Sequence, residues 1–240
     1  MIEWLRDEQQ NPAITLSGRL VPIALKRHAR AKRMTLRLAS DGSAVQITVP
    51  PWCRSKDAIA FAESRVDWLE EQLAKIPARE CPISRGSLRF RGNEVALAWN
   101  ETAPRRAKLA EGTLSLGGPH ETLLRRLQRW LEAEAQPLME ADLAFFCGAA
   151  ELDTRPLRLT RAKRRWGSCS SEGTVRINWR LIQAPDFVRR SVVAHEVAHL
   201  VHFDHSPAFH AMLAAIYDDD IAKADAWLKA NGRRLYTDFG

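Results

Sequence analysis

Apolar positions along the chain change period several times, and each change marks an element. Met34, Leu36 and Leu38 alternate, as do Val45, Ile47 and Val49, with Asp41-Gly42 between them. Period-2 runs about an Asp-Gly pair predict a β-hairpin with a primed two-residue turn. Pro50-Pro51 ends it. A helix is predicted from Ser55, a capping residue type, to about Ile76, with Ile59, Ala62, Val66, Leu69 and Leu73 as its apolar stripe and Pro77 as its stop. Residues 1–12 read as a loose leader.

Residues 77–118 are punctuated by Gly86, Gly92, Gly112 and Gly117-Gly118 and predict short strands and turns without visible chemistry. A long helical pattern runs from His120 to about Cys147, carried by Leu123, Leu127, Trp130, Leu131, Leu138 and Phe145. Pro137 should kink or split it, and Gly148 should end it. Strand patterns return at Leu157/Leu159, Trp166–Cys169 and Val175/Ile177/Trp179, with Glu172-Gly173 at a hairpin turn. Pro185 suits the first turn of a helix reaching about Phe203, and a last helix spans about Asp218–Ala230. No internal repeat is visible. The pattern predicts an α+β protein in two parts, a hairpin, helix and short-strand region over 1–118 and a second domain over 119–240.

Composition narrows the class. Forty-five per cent apolar and 27% charged residues suit a globular protein, and nothing approaches the roughly 20 apolar residues of a membrane span. The N-terminus is charged from Glu3 and has no apolar signal core, so the expected compartment is the cytoplasm and no membrane partner is expected. Cys53, Cys81, Cys147 and Cys169 lack C-x-x-C spacing and read as free thiols. Thirty-six Lys and Arg against 29 Asp and Glu leave +7, which raises a nucleic-acid partner. The excess is scattered in runs such as Lys26–Arg33 and Arg161–Arg165, however, and interleaved aromatics are largely missing, so that partner is weakly supported.

The chemistry concentrates in Ser191–Val201, where Glu196 is the one formal charge of an otherwise apolar helix. A buried carboxylate is costly without a role. His195 and His199, four apart, project from one helical face and can share a tetrahedral metal ion, with zinc the best match to imidazole ligands. Glu196 sits beside the ion as general base for a metal-activated water. His205 supplies the third ligand if the helix ends before it. His202 is the alternative ligand, Asp204 a poorer one, and His210 reads as structural. His202, Arg165 and Tyr217 are open as oxyanion donors, and Asp204 and Asp218 as groups orienting the imidazoles. Ser168 and Cys169 fit a strand beside the helix better than a nucleophile, with Gly167 permitting a close approach and the strand edge available to an extended peptide.

Trp166-Gly-Ser-Cys169, Ile177-Asn-Trp-Arg-Leu181, His195-Glu-Val-Ala-His-Leu200 and His205-Ser-Pro-Ala-Phe209 together resemble the YgjP-like metallopeptidase family, related to the SprT and WLM groups, over about 14–236. The resemblance implies a zincin-like fold, zinc at His195, His199 and His205, and Glu196 as acid/base. Val197, Asp204 and His210 depart from the family's usual Leu, Asn and aromatic residue. The leading expectation is a zinc-dependent hydrolase acting on a peptide or protein. The alternatives are a metal-dependent endoribonuclease, whose family shares the histidine spacing but lacks a glutamate after the first, and a zinc-containing binding protein without turnover.

Overall fold

The computed structural model describes residues 12–39, 41–76 and 81–239; the leader and the stop at Pro77 lie outside them. The chain forms two compact units, Met1–Ala78 and Arg79–Gly240. In the first, β1 (Ala13–Leu16), β2 (Arg19–Arg27), β3 (Thr35–Leu38) and β4 (Val45–Val49) form a sheet in the order β1-β2-β4-β3. The expected hairpin is β3–β4, with Leu36 opposite Ile47. Its loop is longer than two residues, because Ala39 N–H closes onto the Ala44 carbonyl at 2.8 Å and Asp41 accepts from Ser43 N–H at 3.1 Å. Helices α1 (Ser55–Glu63) and α2 (Val66–Ala74) replace the single helix expected over 55–76. Ser64 turns its hydroxyl onto the Phe61 carbonyl at 2.9 Å where the helix breaks, a local bond that competes with the helical ladder. Ser55 is not the cap; its hydroxyl accepts from Arg27. Ile14, Leu16, Val21, Ile23, Val45, Ile47 and Val49 pack with Ala58, Ala62 and Leu69 in one core.

The second unit begins with α3 (Pro82–Arg85) and the sheet β5 (Ser87–Phe90), β6 (Asn93–Trp99), β7 (Lys108–Ala110) and β8 (Thr113–Leu116), in the order β5-β6-β8-β7. This repeats the first sheet's topology. In each, an antiparallel hairpin leads to a strand that pairs in parallel with the last strand of a second antiparallel pair. Both first hairpins turn on two residues with positive φ, Ser17-Gly18 (47°, 75°) and Arg91-Gly92 (51°, 82°), the primed geometry that matches strand twist. The repeat is carried by turn chemistry and pairing, which is why it does not surface as residue identity.

The sheet β5–β8 shares a core with the long helix that comes after it in the chain, α4 (Leu123–Ala149): Leu88, Val95, Leu114 and Leu116 cluster with Leu123, Leu127 and Leu131. The compact units therefore divide at 78/79, whereas the sequence pattern places a boundary at 118/119. Helix α4 runs unbroken through Pro137, so it is not split there. Pro137 and Ala133 one turn earlier are both exposed, so the carbonyl that loses its amide partner faces water. Strands β9 (Leu157–Thr160), β10 (Gly167–Cys169) and β11 (Val175–Asn178) form a third sheet, order β10-β11-β9, with β10 at an edge. Residues Trp179–Gln183 form a 3-10 turn that receives Arg91 N–H on the Ile182 carbonyl at 2.7 Å. Three helices complete the unit: α5 (Asp186–Ala198), α6 (Pro207–Ile216) and α7 (Ile221–Asn231). Among the described residues no helix is long and apolar enough to cross a membrane.

Helix α5 lies on α4 through a buried ion pair. Arg189 Nε donates to Asp142 Oδ2 at 2.7 Å, with side chains 3% and 7% exposed, and Arg189 also reaches Asp186 at 2.5 Å. Arg190 adds ion pairs to Asp142 at 3.7 Å and Asp218 at 2.6 Å. Removing Asp142 leaves the buried Arg189 guanidinium with Asp186 as its remaining ion pair, and its Nε without an acceptor in a dry interior. Asp142→Ala should destabilise the protein by about 3–5 kcal/mol in urea unfolding, and the paired replacement Asp142→Leu with Arg189→Met should recover most of that loss. A single variant as stable as wild type would show that the pair does not hold α5.

Candidate metal centre

Helix α5 stops at Ala198, short of the expected Phe203, and His199 is its C-cap. The early stop lets the chain turn back so that His205 returns to the helix. Ser206 then starts α6 by accepting Phe209 N–H at 3.4 Å, with Pro207 at the first helical position. His195, His199 and His205 come together with one ligand nitrogen each inside a 4.8 Å span, the one group of its kind among the described residues. His205 Nε2 lies 3.3 Å from His195 Nε2. Two nitrogens on one tetrahedral ion at about 2.0–2.1 Å would be about 3.3 Å apart, so the His195–His205 pair has the spacing that a zinc-sized ion needs.

His202 enters differently from its expected alternative role. Its backbone carbonyl accepts from His199 Nδ1 at 2.9 Å. A carbonyl can only accept, so Nδ1 carries the proton and His199 Nε2 keeps its lone pair for a metal. The ring of Phe209, fully buried, touches all three imidazoles with centroids 5.0, 4.6 and 4.8 Å away. Burial, with help from the neighbouring imidazoles, drives His195 down to about 4, which keeps it neutral and available as a ligand.

Glu196 is 6% exposed, and burial pushes its carboxyl up to about 7 against the opposing charge of Arg165. Gly167 on β10 makes room for it: a Cβ there would lie 2.4 Å from Glu196 Oε1, 2.6 Å from Cγ and 2.7 Å from Cδ. Two cavities flank the pair His195/Glu196. One, of about 380 Å³, is walled by Trp166, Val192, Phe209, Leu213 and Ile221, with His210 and Asp225 also lining it. The other, of about 310 Å³, runs along Gly167, Ser168 and Cys169 to His199 and Phe203.

Several expected roles change. Tyr217 donates its hydroxyl to the Phe187 carbonyl at 2.7 Å, which removes it as an oxyanion donor; the charge of Arg165 acts on Glu196. Asp218 is engaged with Arg190 at 2.6 Å, and Asp204 with Ser206, so neither is the second partner of a ligand imidazole. His210 is exposed at the cavity instead of serving the core. Burial and the neighbouring Glu196 raise the Cys169 thiol, the opposite of what a nucleophilic cysteine needs. Nothing in the sequence pattern marks Phe209 as the floor of the site, since an aromatic two residues into a helix looks like ordinary core. The pattern shows that Gly167 permits a close approach, but it has no means of naming Glu196 as the group approached.

A family model described as YgjP-like, metallopeptidase domain, matches residues 32–231. No curated protein matches the chain.

The packing around Glu196 sets two expected outcomes. Gly167→Ala forces the Glu196 side chain to move from Cγ outward, so hydrolysis of a substrate cut by the wild type should fall about 10²-fold while bound metal stays at the wild-type level; unchanged turnover would mean that Glu196 has free room. In the metal-free protein Glu196 binds its proton more tightly folded than unfolded. Relative to Glu196→Gln, stability should therefore be highest below the ordinary carboxylate range and fall as pH rises from about 4.5 to about 7. Parallel stability–pH curves for the two proteins would overturn that assignment.

Proposed function

The chain belongs to the YgjP-like metallopeptidase family, a family of metal-dependent hydrolases, and from that premise we propose that it is a zinc-dependent peptidase with His195, His199 and His205 as ligands and Glu196 as general base. The carrying observation is a buried carboxylate lining two cavities, next in sequence to one of three imidazoles whose ligand nitrogens lie within 4.8 Å of one another. Zinc held there supplies a Lewis acid that acidifies water and polarises a carbonyl.

The protein's own groups do the rest. Glu196 takes a proton from the attacking water and returns it to the leaving amine; in the metal-free protein burial holds its carboxyl up at about 7. His199 is held in one tautomer by the His202 carbonyl. Arg165 is the side chain placed to favour charge developing near Glu196. Edge strand β10 offers unpaired backbone groups to an extended peptide, and the apolar cavity beside it is large enough for a substrate side chain. These two features favour a peptide or protein substrate.

Metal analysis paired with a cleavage screen of proteome-derived peptides tests the reading. Wild type should carry one zinc per chain and cut a subset of peptides. Glu196→Gln should keep the zinc and lose cleavage by about 10²–10⁴-fold; activity retained in that variant would remove the general base. His205→Ala should lose most of its metal, and full stoichiometry there would move the third ligand elsewhere.

A further inference from the structure

The first unit carries a feature that the hydrolytic centre does not use. From Arg19 to Arg37 the sequence has seven Lys or Arg and no Asp or Glu. Read alone, such a run is ordinary solvated surface. Strand pairing changes its context. Strands β2 and β4 are parallel with Arg27 opposite Val49, so residues 28–34 and the Pro50-Pro51-Trp52 turn leave the sheet at the same end. His28 N–H donates to the Val49 carbonyl at 3.0 Å. The Arg27 guanidinium ties the two segments together, donating to Ser55 Oγ at 3.1 Å, to the Pro51 carbonyl at 3.4 Å and to the Cys53 carbonyl. Trp52, fixed in this turn between Pro51 and Cys53, is 77% exposed, the highest value among the large apolar residues described.

The charge is also sided. Lys26 and Arg37 are exposed on the sheet face opposite its core, in register with Thr48 and Gln46 of β4. Arg30, Lys32 and Arg33, in the segment that leaves the sheet at the same end as the Trp52 turn, are also exposed. Among the described residues of this unit the acidic side chains, Asp41 aside, all lie on α1 and α2, whose Ala58, Ala62 and Leu69 cover the other face. A cationic surface that follows a phosphate backbone, joined to an exposed aromatic on which a base can stack, is what single-strand binders combine.

We propose that this end of the first unit's sheet binds single-stranded RNA, with Trp52 stacking on an unpaired base and Lys26, Arg30, Lys32, Arg33 and Arg37 contacting phosphates. An indole needs an unpaired base, which RNA presents in its loops and ends and which a duplex withholds.

Fluorescence anisotropy of the full chain with a labelled single-stranded RNA of roughly 12 nucleotides, within the range of single-strand site sizes, tests this. Affinity should fall about 50-fold between about 50 and 200 mM salt if four phosphates are neutralised. Trp52→Ala should weaken binding about 5- to 150-fold with its salt slope unchanged, and Trp52→Phe should restore part of it. Lys32→Glu with Arg33→Glu should instead flatten the slope by about 0.7 for each phosphate no longer neutralised. All these side chains are exposed, so melting temperatures should match wild type. Glu196→Gln should bind as wild type does, which separates this result from the hydrolase assignment. The proposal is overturned by absence of binding at low salt, by equal affinity of wild type and Trp52→Ala, or by polyglutamate, anionic vesicles, blunt duplex or single-stranded DNA binding as tightly as the RNA.

Discussion

Keeping an ionisable carboxylate inside an apolar helix is the constraint around which the second unit is organised. Glu196 is the lone acidic group between Ser191 and Val201, and its burial raises its proton affinity by taking water away from the charged form. The same dryness keeps His195 neutral. Both shifts come from the same loss of water around α5.

Positioning such a group requires a rigid helix and a close neighbour. The helix is held from behind by Arg189 and Asp142, a buried pair that contributes orientation more dependably than net stability. The neighbour is β10, whose Gly167 brings backbone against the Glu196 side chain. Packing that tight leaves the carboxylate few places to go, while its position at a sheet edge leaves the strand's outer side free.

The repeated topology of the two four-stranded sheets separates architecture from chemistry. Both use a primed two-residue first turn and a parallel central pair. One sheet shares a core with α4 and docks on the 179–183 turn; the other carries an exposed basic run and, in the turn after its β4, an exposed tryptophan. Fold alone does not assign these roles, which depend on the side chains each copy displays.

The metal constellation was legible in the sequence because it is local: His195, Glu196 and His199 sit within two helical turns, and helix geometry fixes their faces before any tertiary packing forms. The α+β class, the β3–β4 hairpin and the strands between 157 and 178 were legible for the same reason. Tertiary structure decided whatever depended on residues far apart in the chain. It ended α5 early so that His205 could return, turned Tyr217, Asp204 and Asp218 to other partners, put Phe209 beneath all three imidazoles and matched Gly167 to Glu196. It also carried α4 past Pro137 by exposing the orphaned carbonyl, and assigned residues 79–118 to the second core. Periodicity reports which face of an element is apolar; which other element covers that face is settled only when the chain closes on itself.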